Sequence, residues 1–235
     1  MKIRLMSFNV LHCEVWKRKC IDFDAFAAAI LDSGADIIGL NEVRGQGERD
    51  DYQAQAKILA EKTGFHYYFA KAIDVGGKNP YGNALLSRFP IKNAQTVMIP
   101  DPVVRIGSWF ETRCLLKAEL DVADGLTVLV THFGLNKSEQ KNAVKTVVEN
   151  FGAQKLILMG DFNVHPDDKV LLPIREQLKD TADQFNSPLC SFPSDAPDRK
   201  IDYIFVSPGV KILNADIPAW VLSDHRPHTA EVEIE

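Results

Sequence analysis

The sequence predicts an α/β protein built from two packed β-sheets with helices outside them. Three observations carry this. Short apolar, β-branched runs alternate along the chain with segments of helical pattern. Neighbouring strand patterns at 112–120 and 126–131 flank Asp124-Gly125, a hairpin turn, so part of the pairing is antiparallel and one all-parallel sheet fits poorly. No low-complexity tract, charge block or linker interrupts the 235 residues, a length that one α/β domain accommodates, so 1–235 reads as a single domain.

The elements follow in order. Ile3 to Val10 is an apolar strand. Asp22 to Ser33 is alanine-rich with one apolar face and is stopped by Gly34, which reads as a helix. Asp36 to Leu40 is a buried strand, and Asp51 to Lys62 a second helix stopped by Gly64. Strand patterns then dominate at Tyr67 to Ala70, Asn83 to Ser87, Ala94 to Ile99, Thr112 to Leu120 and Leu126 to Thr131. Ser138 to Glu149 is a helix, Lys155 to Met159 a strand and Lys169 to Leu178 a shorter helix. Asp202 to Val206 and Thr229 to Ile234 are closing strands. The proline-rich stretch at 183–200, with Pro188, Pro193 and Pro197, reads as a surface excursion.

Composition narrows the function classes. Hydrophobic residues make up 46% and charged residues 25%, ordinary for a globular chain. The formal net charge of -5 argues against a protein that coats nucleic acid, while leaving room for one that meets a few phosphates locally. Cys13, Cys20, Cys114 and Cys190 are scattered and read as reduced thiols. No apolar run has the length of a signal peptide core or a membrane span, so the cytoplasm is the expected location. Oligomeric state is not legible here.

The chemistry lies at strand ends, where loops carry polar groups over a rigid scaffold. Asn9 ends the first strand, Glu42 the second, His132 a third, and Asp161 with Asn163 a fourth; Asp202 opens a fifth, and Asp224 with His225 precedes the last. Any one of them alone is an ordinary turn-capping residue. Together they deliver carboxylates, amides and two imidazoles to one edge. That inventory suits a hard, oxygen-preferring cation such as Mg2+, with general acid/base groups beside it. No Cys or HExxH spacing marks a zinc site, and no GxxxxGK[ST] or GxGxxG loop marks a nucleotide cradle.

These residues fall in motifs: SFN at 7–9, GLNEV at 39–43, YGNALLSR at 81–88, TH at 131–132, GDFN at 160–163, KIDYIF at 200–205 and SDH at 223–225. Taken in this order across nearly the whole chain, they resemble the endonuclease/exonuclease/phosphatase superfamily, the deoxyribonuclease I-like fold. The resemblance implies a four-layer α/β sandwich: two mixed sheets face to face, helices outside. It implies that Glu42 is the chief metal ligand, with Asn9 beside it and Asp224 at or near the metal, which is Mg2+ or alternatively Mn2+. Asp161 would orient or deprotonate the attacking water, and Asn163 would hold that water or a phosphate oxygen. His225 would face the scissile phosphate, steered by Asp202, with His132 as the second imidazole.

Other residues bear on the substrate, a phosphate ester that is either a small molecule or a nucleic acid. Asn83 reads as an active-site amide or a turn residue, and Arg113 as a phosphate contact or a solvated strand arginine. Trp16 with Lys17, Arg18 and Lys19 reads as a solvated loop or a second phosphate site. His12 stands close to Asn9 in sequence, and Trp109-Phe110 could rim the pocket. His66, His165 and His228 are left structural. The expected function is phosphodiester or phosphomonoester hydrolysis by in-line attack of water. The alternatives are a nuclease of the same fold, a lipid phosphodiesterase of the sphingomyelinase kind, and a binding domain without catalysis.

Overall fold

The computed structural model of the protein describes residues 1–105, 107, 109–184 and 190–234. In chain order the strands are β1 (Lys2–Asn9), β2 (Glu14–Val15), β3 (Cys20–Ile21), β4 (Ile37–Arg44), β5 (His66–Val75), β6 (Asn79–Ser87), β7 (Ile91–Met98), β8 (Cys114–Leu120), β9 (Leu126–His132), β10 (Leu156–Asp161), β11 (Lys179–Asp180), β12 (Asp202–Val206), β13 (Val210–Asp216) and β14 (His228–Ile234). The helices are α1 (Phe23–Ser33), α2 (Gln55–Thr63), α3 (Lys137–Glu149) and the short α4 (Leu172–Arg175). One six-stranded sheet runs β13-β14-β1-β4-β6-β5, a second runs β11-β12-β10-β9-β8-β7, and β2-β3 is a separate ribbon. Each large sheet has a parallel pair at its centre, β1 with β4 and β9 with β10, and is antiparallel elsewhere, so both are mixed.

Three hydrophobic clusters fill the spaces between four layers. Ile3, Leu5, Leu85, Leu116, Val130, Met159 and Ile204 belong to the cluster shared by the two sheets. Phe8, Ile38, Leu40 and Leu86 pack with Phe26, Ile30 and Leu59 of α1 and α2 on the outside of the first sheet. Leu129, Leu158, Phe162, Tyr203 and Phe205 pack with Val144 and Val147 of α3 and Ile174 of α4 on the outside of the second. Burial on both faces explains why Ile37 to Leu40 of β4 and Leu156 to Met159 of β10 read as continuous apolar runs, not as alternating ones.

Local chemistry sets most of the ends. The Asp22 carboxylate accepts from Ala25 N and caps α1, and Gly34 at φ 65 closes it. Glu139 reaches back to Asn136 N at 3.1 Å to cap α3. Three expectations need correction. The second helix starts at Gln55, not Asp51, because Asp51 is drawn into ion pairs with Arg44 and Arg49. The segment 169–178 is a single 3-10 turn at Lys169–Leu171 followed by α4, with Pro173 near the start of α4. β13 was not foreseen; its alternation is broken by an irregularity in its pairing with β14 between Ile212 and Asn214. Pro188 lies outside the described residues.

The topology places the chemistry. Because β1 and β4 are parallel, Asn9 pairs with Asn41 at their C-terminal ends. Because β9 and β10 are parallel, Asp161 pairs with His132, and on its other side Asp161 faces Asp202 at the start of antiparallel β12. The sheets meet closely at this end. Asn41 Nδ2 crosses to donate to Thr131 O at 2.9 Å, and Asp161 N donates to Asn41 Oδ1 at 2.9 Å.

Candidate active site

The chain takes up unusual backbone at the ends of β1 and β4. After Asn9, residues Leu11, His12 and Cys13 have φ of 43, 58 and 59, and Glu42 has φ 60. β4 is bulged against β6 between Leu40 and Val43, which removes Glu42 from the ladder. Such strain in non-glycine residues collects at functional sites. Asn163, just beyond β10, is also left-handed at φ 51.

The side chains form a continuous network. Asn9 Nδ2 donates to Glu42 Oε1 at 3.1 Å and to Asp161 Oδ2 at 3.2 Å. Asn163 N donates to Asp161 Oδ1 at 2.9 Å. His132 Nε2 lies 3.4 Å and His225 Nε2 3.7 Å from Asp161 Oδ2. His225 Nδ1 donates to Asp202 Oδ2 at 2.8 Å, and the same oxygen accepts from Ser191 Oγ at 2.5 Å. Asp224 immediately precedes His225 and is close enough to Glu42 to feel its charge. Glu42 and the Asp224-His225 pair therefore share one edge of the sandwich.

Electrostatics divides the titratable groups. Burial lifts the Asp161 carboxyl to about 7, with His225 opposing and Asp202 adding to the rise. Burial works against charge on His225, yet Asp202 and then Asp161 overcome it and hold the imidazole up at about 10. Burial, then Arg113, His225 and His12, push His132 well below its ordinary value, so it is neutral. Its Nδ1 lies 3.1 Å from Arg113 Nη1, and its Nε2 lies 3.2 Å from Asn163 Nδ2 and 3.4 Å from Asp161 Oδ2. Asp224 is raised by burial and by Glu42. Among the described residues, ligand-type atoms of Asp161, Asp202 and His225 lie within 4.8 Å of one another.

The substrate-side residues divide. Arg113 is nearly buried and pairs with Glu111 Oε1 at 2.6 Å beside His132, so it faces the site and is not a solvated strand residue. Asn83 is buried between the sheets: its Nδ2 donates to Cys114 O at 3.0 Å and its Oδ1 accepts from Asn41 at 2.9 Å. The basic loop is neutralised locally, Lys17 by Asp195, Arg18 by Asp22 and Lys19 by Glu14. Trp109 is 82% exposed. His66 and His165 are exposed. His228 is buried between Thr181 Oγ1 and Asp202 O and is pushed down, by burial first, to about 4.

Sequence reasoning missed Asn41, Tyr81, Glu111 and Ser191. Asn41 carried a signal, a polar residue between Leu40 and Glu42 in an otherwise apolar strand. Tyr81 is defined by the His12 ring, far away in the chain, and Glu111 and Ser191 by the loop backbone that turns them toward Arg113 and Asp202. A groove of about 760 Å³ is lined by Lys137, Lys141, Val144 and Lys145 of α3 with Val170 and Pro173, and includes none of the site residues.

Strand ends that gather acids, amides and imidazoles at the rim of a double-sheet sandwich define a class of hydrolases acting on phosphoesters. The chain belongs to the endonuclease/exonuclease/phosphatase family, whose profile matches residues 6–225. Solved structures share the fold. One is an endonuclease/exonuclease/phosphatase from Bacteroides vulgatus, at 22% identity and TM-score 0.77 over 100% of both chains. A mannosyl-6-phosphatase from Bacteroides thetaiotaomicron is 18% identical, with TM-score 0.77 over 99% of this chain and 100% of that one. The human Nocturnin catalytic domain is 16% identical, with TM-score 0.73 over 100% of this chain and 95% of that one. No curated protein sequence matches the chain. Among the described residues, no helix is long and apolar enough to cross a membrane.

Proposed function

We propose that this chain is a divalent-cation-dependent phosphoesterase that attacks a compact phosphate ester with water, working as a single domain, 1–235, in the cytoplasm. The observation that carries the reading is the joining of Glu42, Asn9, Asp161, His225 and Asp202 by direct contacts, with opposite protonation preferences at its centre. Asp161 titrates near neutrality while His225 stays protonated, which divides the roles of base and electrostatic stabiliser.

The donor set fits a hard cation. Glu42 and Asp224 offer carboxylate oxygen, Asn9 an amide oxygen that accepts from Leu11 N at 3.2 Å, and Asp224 is raised by burial first and then by Glu42, a repulsion that a divalent ion relieves. The Asp161–Asp202–His225 cluster suits a cation less, because the His225 imidazole is held protonated and its Nδ1 is taken by Asp202. Mg2+ is the favoured ion, with Mn2+ an alternative. When bound, it draws negative charge from the phosphate oxygens and fixes their orientation.

The chain's own residues do the rest. Asp161, ionised, takes the proton of the attacking water, and Asn163 holds that water or a phosphate oxygen. The His225 imidazolium faces the phosphate and stabilises the charge that grows there, with Asp202 fixing its tautomer. His132 and Arg113 contact the phosphate from the other side, while Asn83 serves the site through Asn41. Local neutralisation of Lys17, Arg18 and Lys19 favours a compact ester over a long polyanion.

The test is a parallel assay of the protein with Mg2+ or Mn2+ on p-nitrophenyl phosphate, bis-p-nitrophenyl phosphate, plasmid DNA and sphingomyelin. Turnover of a small ester that EDTA and Glu42→Ala both abolish is expected. Activity that ignores EDTA or survives Glu42→Ala overturns the mechanism. Cleavage of DNA alone replaces it with the nuclease reading.

A further inference from the structure

We infer that Gln55 and His12 form a positioning clamp that holds Glu42 in a cation-binding posture. The inference rests on the reading of Glu42 as a metal ligand given above. It starts from a conformation that needs support. Glu42 stands at φ 60 in the bulge of β4, a region that a non-glycine residue occupies only when its surroundings impose it.

The support is a short chain of hydrogen bonds on both sides of the bulge. On one side, His12 Nδ1 donates to Glu42 O at 3.0 Å. On the other, Arg44 N donates to Gln55 Oε1 at 2.9 Å. The two are joined because Gln55 Nε2 donates to His12 O at 2.7 Å. One amide side chain thus ties the Val43–Arg44 peptide, one residue beyond Glu42, to the left-handed turn at Leu11–Cys13, and that turn grips the carbonyl of Glu42 itself.

Both members are held by contacts at each end. Gln55 is the first residue of α2 and is fully buried, with donor and acceptor ends both engaged. The His12 ring meets Tyr81 edge-on at 5.5 Å between centroids, and its Nε2 lies 3.6 Å from Glu42 Oε2. With Nδ1 bound to the carbonyl and Nε2 facing the carboxylate, His12 acts through Glu42. Partners of this kind orient a ligand without touching the ion, and their loss typically costs roughly 10–100-fold in metal affinity.

The test is calorimetric titration of Mn2+ into substrate-free protein, with melting temperature measured on the same metal-free samples. The variants are Gln55→Leu, Gln55→Glu, His12→Phe, His12→Asn, the double variant Gln55→Leu/His12→Phe, and Glu42→Gln. Gln55→Leu and His12→Phe are expected to weaken Mn2+ binding roughly 10–100-fold. The double variant should be little worse than the weaker single one, because both break one device. His12→Asn, which keeps an N–H donor, should recover part of the loss. Gln55→Glu keeps the acceptor for Arg44 N and loses the donor to His12 O, so it decides the matter should Gln55→Leu not fold. Folded Gln55 and His12 variants with wild-type Mn2+ affinity, while Glu42→Gln loses it, overturn the clamp alone. Unchanged affinity in Glu42→Gln overturns the metal site and the clamp with it.

Discussion

At the scale of single residues, the site is a contest between burial and pairing. Asp161 must be ionised to take a proton, and its carboxyl is lifted to about 7; His225 must stay protonated, and it is held at about 10. The kcat/KM profile should therefore rise through pH 7 and fall through pH 10. Asp202→Asn removes the largest influence raising His225, so the falling limb should move toward neutrality in the same assay. Asp161→Asn should cut kcat by about 10²–10⁴-fold with no loss of melting temperature, because it removes a buried carboxylate. Stability follows with a definite sign. Both groups have folded values above their unfolded ones, 3.8 for Asp161 and 6.5 for His225. Their contributions are complete below those unfolded values and disappear as pH climbs through about 7 and about 10. Melting temperature between pH 7 and 10 should accordingly fall more steeply in wild type than in Asp202→Asn. The expected site residues were legible because each closes or opens an apolar strand, which fixes where its backbone lies. Asn83 shows the limit of that reasoning. Its strand position was visible, but its amide turns inward to Cys114 O and Asn41. Gln55 was invisible for the opposite reason: nothing in a helix start tells that its amide closes on a bulge eleven residues earlier.

At the scale of elements, two positions hold the sheets in register around the site. Gly160 immediately precedes Asp161 and has φ 148, and a Cβ there would lie 1.8 Å from Thr131 O on the neighbouring strand. Gly160→Ala should therefore push β10 away from β9 at the residues that carry Asp161 and His132. A cost of about 1–3 kcal/mol is expected in urea unfolding, accompanied by a fall in kcat. Asn41 ties β4 to both strands of that pair. The elements that the sequence revealed share this dependence on local signals. α1 carried an Asp cap and a glycine stop, and the central strands β4 and β10 open on continuous apolar runs. β13 was hidden because a sheet-edge strand with broken alternation resembles a loop until its partner is known. The start of α2 was hidden because Ala54 has no side chain to cap it, and Asp51, where the helix was expected to begin, pairs with arginines instead.

At the scale of the whole molecule, two sheets bring acids from opposite halves of the chain to one rim, and that arrangement opposes folding when no cation is present. Asp224 is raised by burial and by Glu42, and Glu111 is raised by burial despite Arg113, with Glu42 adding to it. The metal-free protein thus carries like charges that the fold compresses and the unfolded chain disperses. Removing one of them should relieve that cost, whereas removing an ordinary surface glutamate changes little. Glu42→Gln in EDTA is therefore expected to melt at or above the wild-type temperature. A cation reverses the order. Mn2+ at about one hundred times its dissociation constant adds about 2.7 kcal/mol to a protein that binds it only when folded. For a chain of this size that corresponds to roughly 5–10 °C in melting temperature. Wild type should show that rise on adding Mn2+ and lose it in EDTA, while Glu42→Gln should show almost none. If Glu42→Gln melts well below wild type in EDTA, Glu42 is holding the fold together, and the view of this rim as a charge cluster assembled for an ion is wrong.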